Sequence, residues 1–481
     1  MPSKEDFIKI SDYLWEIPKK FRQDMRVPAR VYISEKMLEE SFKDRSLEQL
    51  VNIATLPGIQ KYALAMPDMH EGYGFPIGGV AAMSIINGVV SPGGVGYDIN
   101  CGMKLLRSDY TVEEIKPYLD KLATEIQKEV PSGLGKGRQI KIDIQDINQV
   151  LKRGAQRLVE QGYGEKEDLE NCESQGCLPQ ADVLMVSDHA KDRGRDQVGT
   201  LGSGNHFLEV QKVQQVFDEQ TASIFGLFKD QVVIMIHTGS RGLGHQIATD
   251  YIRIMSQAMT KYDVRLPDRE LAACPINSPE GQRYLAAMAC GANYAWANRQ
   301  MITHFVRMAW HRILGENSKS LKAVYDVAHN IAKIEKYLID GQNTEVCVHR
   351  KGATRAFPPG HPEIPERYQE VGQPVLIPGS MGTASYVLAG VRTGENSWYS
   401  TAHGAGRMMS RHEATRRISG QEVVKNLESK GITVKCWSFR GIAEEAPLAY
   451  KNIDEVVEVV HNAGLSKKVV RLVPLAVIKG E

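Results

Sequence analysis

Ser91-Pro-Gly-Gly-Val-Gly-Tyr-Asp-Ile-Asn-Cys-Gly-Met103 is the stretch around which the rest of the chain is read. Three glycines precede an acid and a thiol, Asp98 and Cys101, and a fourth follows. Glycine loses the most backbone entropy on ordering and packs nothing, so neither helix nor strand suits this run. A tight bend that lets another group approach closely does. Asp98 and Cys101 could face one metal or bridge two, since carboxylate and thiolate are both anionic ligands. Taken alone, a glycine-rich turn ending in a buried cysteine explains the stretch better. The decision rests on what lies outside it.

The 481 residues are 42% hydrophobic and 24% charged, enough to bury a large core. A net charge of +1 gives no global basic signal, so any nucleic-acid contact must come from a local patch. Seven cysteines, odd in number and scattered, do not form a disulfide framework. The opening Met-Pro-Ser-Lys-Glu-Asp-Phe is charged where a secretory signal needs an apolar run, and no stretch reaches the length of a membrane span. The expectation is a soluble protein of a reducing compartment, with no membrane partner.

Upstream, Tyr13–Pro18 is strand-like and Glu35–Ala54 has helical spacing. Between 62 and 107, apolar runs (Tyr62–Met66, Val80–Ile86, Lys104–Arg107) alternate with glycine turns, as in sheet strands joined by loops. One loop holds Asp68 and His70, expected to hydrogen-bond and to support a site rather than touch an ion. Residues 110–175 are charged and mostly helical, clearest over Thr111–Val130 and Ile147–Gly162. Thr111 and Glu114 fit a capping box, and Pro117 threatens the first helix. Gly133-Leu-Gly-Lys-Gly-Arg lacks the Ser/Thr and glycine spacing of a phosphate loop and reads as a flexible basic loop. Cys172 and Cys177 have no second pair nearby for a zinc knuckle.

Downstream, Gly202-Ser-Gly runs into Asn205-His-Phe-Leu-Glu, a strand whose alternation would put Asn205, Phe207 and Glu209 on one face and His206 on the other. Val232-Val-Ile-Met-Ile is a buried-type strand ending at His237, before a glycine turn with Arg241. Residues 245–335 are expected to be mainly helical. Gly281–Leu314 carries an apolar stripe that reads as core packing, and Asp326-Val-Ala-His-Asn then offers His329. Strands and turns return near Val346-Cys-Val-His and Gln373-Pro-Val-Leu-Ile. His403 sits in Ser400-Thr-Ala-His-Gly-Ala-Gly-Arg, a glycine turn expected to open a helix whose amides could hold an anion. Without repeats or linkers, one large domain over 1–481 with a helical insertion is expected.

Five candidate ligands in like contexts, Asp98, Cys101, His206, His237 and His329, would suit two divalent ions sharing the thiolate. His403 stands apart, where an imidazole could attack phosphorus. The Lys-x-Asp-Gly motif of lysine-dependent nucleotidyl transferases is absent, and so is a Walker A loop.

These motifs, together with Met66-Pro-Asp, Pro378-Gly-Ser-Met-Gly and His403-Gly-Ala-Gly-Arg, run in order nearly end to end and resemble the RtcB family of RNA-splicing and RNA-repair ligases. The resemblance implies an α/β (α+β) fold with packed sheets around a deep metal-binding cleft, flanked by helices. It implies GTP-dependent joining of RNA 3′-phosphate or 2′,3′-cyclic phosphate ends to 5′-hydroxyl ends, in tRNA splicing and RNA repair, with two Mn²⁺ ions. Softness alone would have favoured zinc at a bridging thiolate. By the matching motifs, Cys101 would bridge the ions, Asp98 and His206 completing one site, His237 and His329 the other. His403 would carry GMP through an RNA-3′-pp-G intermediate. Glu209 and Lys479 would read guanine, whose donor and acceptor edge no other base offers. Asn205, His206, Phe207, Leu208, His329, Asn330, Pro378, Gly379, Ser380, Met381, Ser385, Gly404, Ala405, Gly406 and Tyr450 would complete the nucleotide pocket. Arg241, Lys351 and Arg411 are candidates for RNA phosphates or, equally, solvated charges. Partners implied are RNA ends and GTP, in the cytoplasm, and the need for an archease-type activating protein stays open. A two-metal phosphoesterase would need the ligands without His403, Glu209 or Lys479. An inert metal-stabilised RNA-binding subunit would need no pyrophosphate release.

Overall fold

The computed structural model describes residues 2–132 and 144–480; the basic loop at 133–138 lies outside the described residues. The strand Gln231–Thr238 is buried at every position, as its run of β-branched and apolar residues requires of a strand covered on both faces. It sits inside an eight-stranded sheet in the order Lys322–Ala328, Gly102–Thr111, Gln231–Thr238, Phe207–Val216, Ser466–Lys479, Ser385–Gly390, Pro374–Ile377, with Thr433–Cys436 added in parallel to Ser466–Lys479.

The other neighbours in this sheet are antiparallel, so the start of one strand lies beside the end of the next. Ala328 pairs with Gly102, Gly102 with Thr238, and Phe207 with both His237 and Lys479. Cys101 and His206 come just before their strands, His329 just after its own, and His237 one residue from its strand's end. Register alone therefore gathers four predicted ligands and Lys479 at one edge of the sheet.

A seven-stranded sheet, ordered Ile8–Ser11, Leu14–Ile17, Ala29–Tyr32, Ile59–His70, Ile77–Ser84, Gln342–Lys351, Asn330–Ile339, supplies the opposite wall. It brings Asp68, Lys351 and Asn330 to that edge. The sheets are stitched there: His329 N donates to Cys101 O (2.9 Å), Asn100 N to Asn330 O (2.7 Å) and Ala353 N to His329 O (3.1 Å). A short ribbon pairing Ala353–Arg355 with Ser400–Ala402 then delivers His403. Packed sheets with flanking helices agree with the expected α/β class.

Behind the ligand edge runs the helix Pro279–Leu314, buried along most of its length. Ser278 caps it by accepting from Gly281 N, with proline at the first turn. Its predicted stripe (Tyr284, Met288, Ala292, Ala295, Ile302, Phe305, Ala309) is core. Thr111 and Glu114 form the capping box, and the helix breaks around Pro117 into Val112–Ile115, a 3-10 turn and Leu119–Glu129. Glu35–Ala54 is two helices, Glu35–Ser41 and Ser46–Ile53.

Two expectations are corrected. The helical segment does not reach 335. It stops at Leu314, where Gly315 takes a φ of +96°, and the β-branched run from Lys322 is strand. The turn at His403 does not open a helix. Gly406 at φ +74° redirects the chain, and the next helix, Arg411–Arg417, starts from its own cap at Ser410. Among the described residues no helix is long and apolar enough to cross a membrane.

Candidate active site

Cys101 Sγ lies 3.3 Å from His237 Nε2 and 3.5 Å from His206 Nε2. His237 Nε2 is 3.4 Å from His329 Nε2, and His206 Nε2 is 2.8 Å from Asp98 Oδ2. The groups divide into two trios sharing the thiol, Cys101–His237–His329 and Asp98–Cys101–His206, each with all ligand atoms within 4.8 Å of one another. This donor set fits divalent cations. Two imidazole nitrogens facing each other at 3.4 Å beside a thiol share few protons, and a cation between them satisfies all their lone pairs.

Burial, reinforced by neighbouring positive charge, pushes His237 and His329 well below the usual imidazole value, so both rings offer lone pairs at neutral pH. Burial opposes ionisation of Asp98, but His206, the Cys101 thiol and Arg241 outweigh it and hold the carboxyl below its usual range. Asp98 Oδ1 also accepts from Ser240 N at 2.9 Å. Burial, with Asp98 beside it, raises the Cys101 thiol well above its ordinary value. An incoming cation must therefore displace the thiol proton.

His403 stands next to the trios, its ring 4.9 Å from that of His329. Asp68, fully buried, accepts three hydrogen bonds on one oxygen: His403 Nδ1 at 2.5 Å, His403 N at 3.0 Å and Gly404 N at 3.3 Å. A carboxylate at Nδ1 fixes the tautomer with the proton there and leaves the Nε2 lone pair for chemistry. The backbone amides expected to hold an anion are thus taken by Asp68. The expected loop at Asp68 and His70 is strand instead: both lie on Ile59–His70, where His70 sets Nδ1 against Asp68 O at 3.0 Å and lines the cavity on one side of His403.

Nε2 chemistry needs space, and two cavities meet at His403. One, of about 200 Å³, is lined by Asn205, Phe207, Pro378, Gly379, Ser380, Met381, His403, Gly404, Ala405, Gly406, Tyr450 and Lys479, with Arg407, Arg411 and Glu445. The other, about 250 Å³, takes in Asp98, Cys101, His329, Asn330 and Lys351. The family profile described as tRNA-splicing ligase RtcB matches residues 49–480. A protein named tRNA-splicing ligase RtcB from Archaeoglobus fulgidus is 54% identical over 475 residues, 98% of each chain. One of the same name from Methanococcus maripaludis is 52% identical over 480 residues, 99% of this chain and all of its own. RNA-splicing ligase RtcB of Mycobacterium tuberculosis is 54% identical over 435 residues, 90% of this chain and all of its own. This chain belongs to the RtcB family.

Not every residue carried over by the RtcB motifs lines the first cavity. Leu208 is fully buried core. Glu209 and Ser385 stand behind the wall, linked to it through Gln211, whose Nε2 donates to Glu209 Oε2 (2.7 Å) and Ser385 Oγ (3.1 Å); Ser385 Oγ in turn accepts from Gly379 N. The regular alternation expected from Asn205 begins only at Phe207, where the strand starts. His329 and Asn330 face the second cavity, and Asn330 braces the turn by donating to Asp98 O (3.1 Å) and accepting from Gly352 N (2.8 Å). Lys479 donates to His206 O at 2.8 Å. Burial pushes Glu209 up to about 8, against the pull of Gln211 and Lys479, and pushes Lys479 down to about 8.

Of the three phosphate candidates, Arg241 and Lys351 are drawn into this RtcB site, and Arg411 reaches it from an exposed position. Arg241 NH1 lies 3.4 Å from His206 Nδ1. Lys351 is buried, donating to Tyr73 O (2.6 Å) and Phe75 O (3.0 Å), and burial pushes it down to about 7. Arg411 lines the first cavity and donates to Glu445 at 2.9 Å.

Sequence reasoning missed four contributors. Arg299, fully buried on the long helix, ties the ligand turns together, donating to Asp326 Oδ1 (2.8 Å), Asn100 O (2.8 Å) and Thr238 O (2.9 Å). Asn298 beside it holds Gly199 N, Thr200 and Gly239 O. Arg407 and Glu445 clasp Tyr450. An arginine and an asparagine inside an apolar helix were a visible signal; Glu445 left none.

Proposed function

We propose that this chain is an RNA ligase that joins a 3′-phosphate or 2′,3′-cyclic phosphate end to a 5′-hydroxyl end, with His403 as the guanylylated nucleophile and GTP as the nucleotide. The observation that carries the reading is His403 itself: Nδ1 anchored on buried Asp68, Nε2 left for two cavities, one beside the thiol–imidazole cluster.

Asp98, Cys101, His206, His237 and His329 would hold two divalent ions, manganese by family resemblance, which when bound supply positive charge to the transferring phosphates. The protein's own groups do the rest. His403 Nε2 attacks the α-phosphorus of GTP, the bond to the bridging oxygen breaks, and pyrophosphate leaves. Positive charge grows on the imidazole, and the Asp68 carboxylate offsets it. An oxygen of the RNA 3′-phosphate then attacks the same phosphorus and breaks its bond to Nε2, giving RNA-3′-pp-G. The 5′-hydroxyl attacks the RNA phosphate and expels GMP. A cyclic end is first hydrolysed to the 3′-phosphate.

Glu209 would accept from guanine N1–H and the N2 amine, and Lys479 would donate to O6, a pattern adenine cannot satisfy. Guanine would have to engage Glu209 through the Gln211–Ser385 wall. Arg407 and Arg411 stand where nucleotide phosphates would pass.

The test is mass spectrometry of protein incubated with GTP and Mn²⁺ without RNA, mapped under non-acidic conditions. A GMP adduct on the peptide containing His403, absent in His403→Ala, is expected. Intact GTP and no adduct, with metal bound, would leave the phosphoesterase standing; an adduct on a lysine would keep the ligase class and remove His403 from its role.

A further inference from the structure

The second cavity holds Asp98, Cys101, His329 and His403 in its wall, and guanine binding leaves its rim without a task. That rim is aromatic. Tyr73 and Tyr97 both line it, ring centroids 5.5 Å apart at 61°. His245 stacks on Tyr97 at 4.8 Å and 26° and is itself exposed. Three rings thus form a short ladder, exposed at its His245 end, whose Tyr97 and Tyr73 share the cavity lining with Asp98, Cys101 and His329.

The ladder is braced from behind. Lys351 Nζ holds the carbonyls of Tyr73 and Phe75, and Gly74 N donates to Glu270 Oε2 at 3.0 Å. Gly74 takes φ +71°, and a Cβ there would meet Glu270 O at 2.5 Å, so this loop is pressed onto its neighbour. Tyr97 follows Gly96 at φ +95° and immediately precedes Asp98. Neither tyrosine hydroxyl has a hydrogen-bond partner among the described residues.

A volume of about 250 Å³ falls short of the roughly 300–1,000 Å³ of drug-sized sites. It admits the phosphate and sugar of a strand terminus and excludes a paired stem. The bases must then lie on the rim. Unpaired bases stack on aromatic side chains irrespective of sequence, because every base has a π-face.

We infer that Tyr97, flanked by Tyr73 and His245, is the stacking platform for the unpaired last bases of the RNA strand whose 3′-phosphate enters this cavity. The inference rests on the ligase reading and adds a substrate subsite to it.

The experiment measures equilibrium binding of a short oligoribonucleotide 3′-phosphate to the full chain in Mn²⁺ without GTP. The RNA carries either its normal final bases or abasic sugars at the last two positions. The unsubstituted protein should prefer the normal RNA by roughly 5- to 150-fold, the range for stacking on aromatic side chains. In Tyr97→Ala, Tyr73→Ala and His245→Ala the preference should shrink toward unity. Tyr97→Phe, which keeps the ring and is safest for folding, should retain it. Equal binding of both RNAs by the unsubstituted protein, or an undiminished preference in the three alanine variants, overturns the platform. Guanylylation of the same unsubstituted preparation by GTP and Mn²⁺, without RNA, reports separately on the ligase reading, so the two can fail independently.

Discussion

Replacing Asp68 by asparagine changes one atom and removes one charge. The side chain is fully buried, and a single oxygen accepts from His403 Nδ1 at 2.5 Å and from the amides of His403 and Gly404. With the amide oxygen in that place, Asp68→Asn keeps the backbone bonds while the carboxylate is lost. A full unit charge on each partner at that separation is worth ~7 kcal/mol at an effective dielectric of ~20. The ring spreads its charge over two nitrogens and only part has developed in the transition state, so a third of this, ~2–3 kcal/mol, is realised. That slows guanylylation by about 30- to 150-fold. If the amide instead turns its NH₂ to Nδ1, the ring proton moves to Nε2, and the loss grows. The assay is single-turnover transfer from α-labelled GTP to the protein at saturating GTP and Mn²⁺, with thermal unfolding in parallel. Asp68→Ala also loses the backbone anchors and should lower the melting temperature. An Asp68→Asn enzyme that guanylylates within about threefold of the parent would falsify the claim that this carboxylate tunes His403.

Other perturbations separate the parts of the site. Arg299→Met removes the hydrogen-bonded cation of buried Asp326 and should cost about 3–5 kcal/mol in denaturant unfolding, whereas exposed Arg265→Met should cost next to nothing. Adding Mn²⁺ at a hundredfold excess over its dissociation constant should stabilise the fold by about 2.7 kcal/mol, and Cys101→Ala, which removes the ligand shared by both trios, should abolish most of that gain. Burial holds Glu209 at about 8, above the model-peptide value of ~4.3. The folded state therefore keeps a proton that the unfolded state has lost, and this contribution, full below ~4.3, fades as pH rises through about 8. Glu209→Gln should flatten that part of the stability–pH curve. On the proposal that guanine is read by the Glu209 carboxylate, GTP affinity should climb up to about pH 8, and Glu209→Gln should weaken it by roughly 10- to 150-fold, as loss of a charged hydrogen bond does.

How far the site was legible in sequence follows from where its information lies. Cys101, His206, His237 and His329 each flank an apolar run beside a turn, a signal contained in about ten residues, and antiparallel register did the rest. The strand Lys322–Ala328 was harder, because a short apolar run after a long helix has no periodicity of its own to oppose the helical reading. Contacts between distant segments were out of reach. Asp68 and His403 lie 335 residues apart, and nothing local to Met66-Pro-Asp says that its carboxylate reaches beyond its own strand. The same holds for Glu445, which clasps Arg407, Arg411 and Tyr450 from a region with no motif. Arg299 is the instructive intermediate. A guanidinium inside an apolar helix must find partners or destabilise the fold, so its presence announced a buried network, while only the packing of that helix under the sheet edge reveals that the partners are the turns carrying Asp98, Cys101 and His237. The ligand edge is therefore held by two independent devices, strand register from one side and an arginine fork from the other. Loosening the fork should damage metal affinity before it unfolds the sheet.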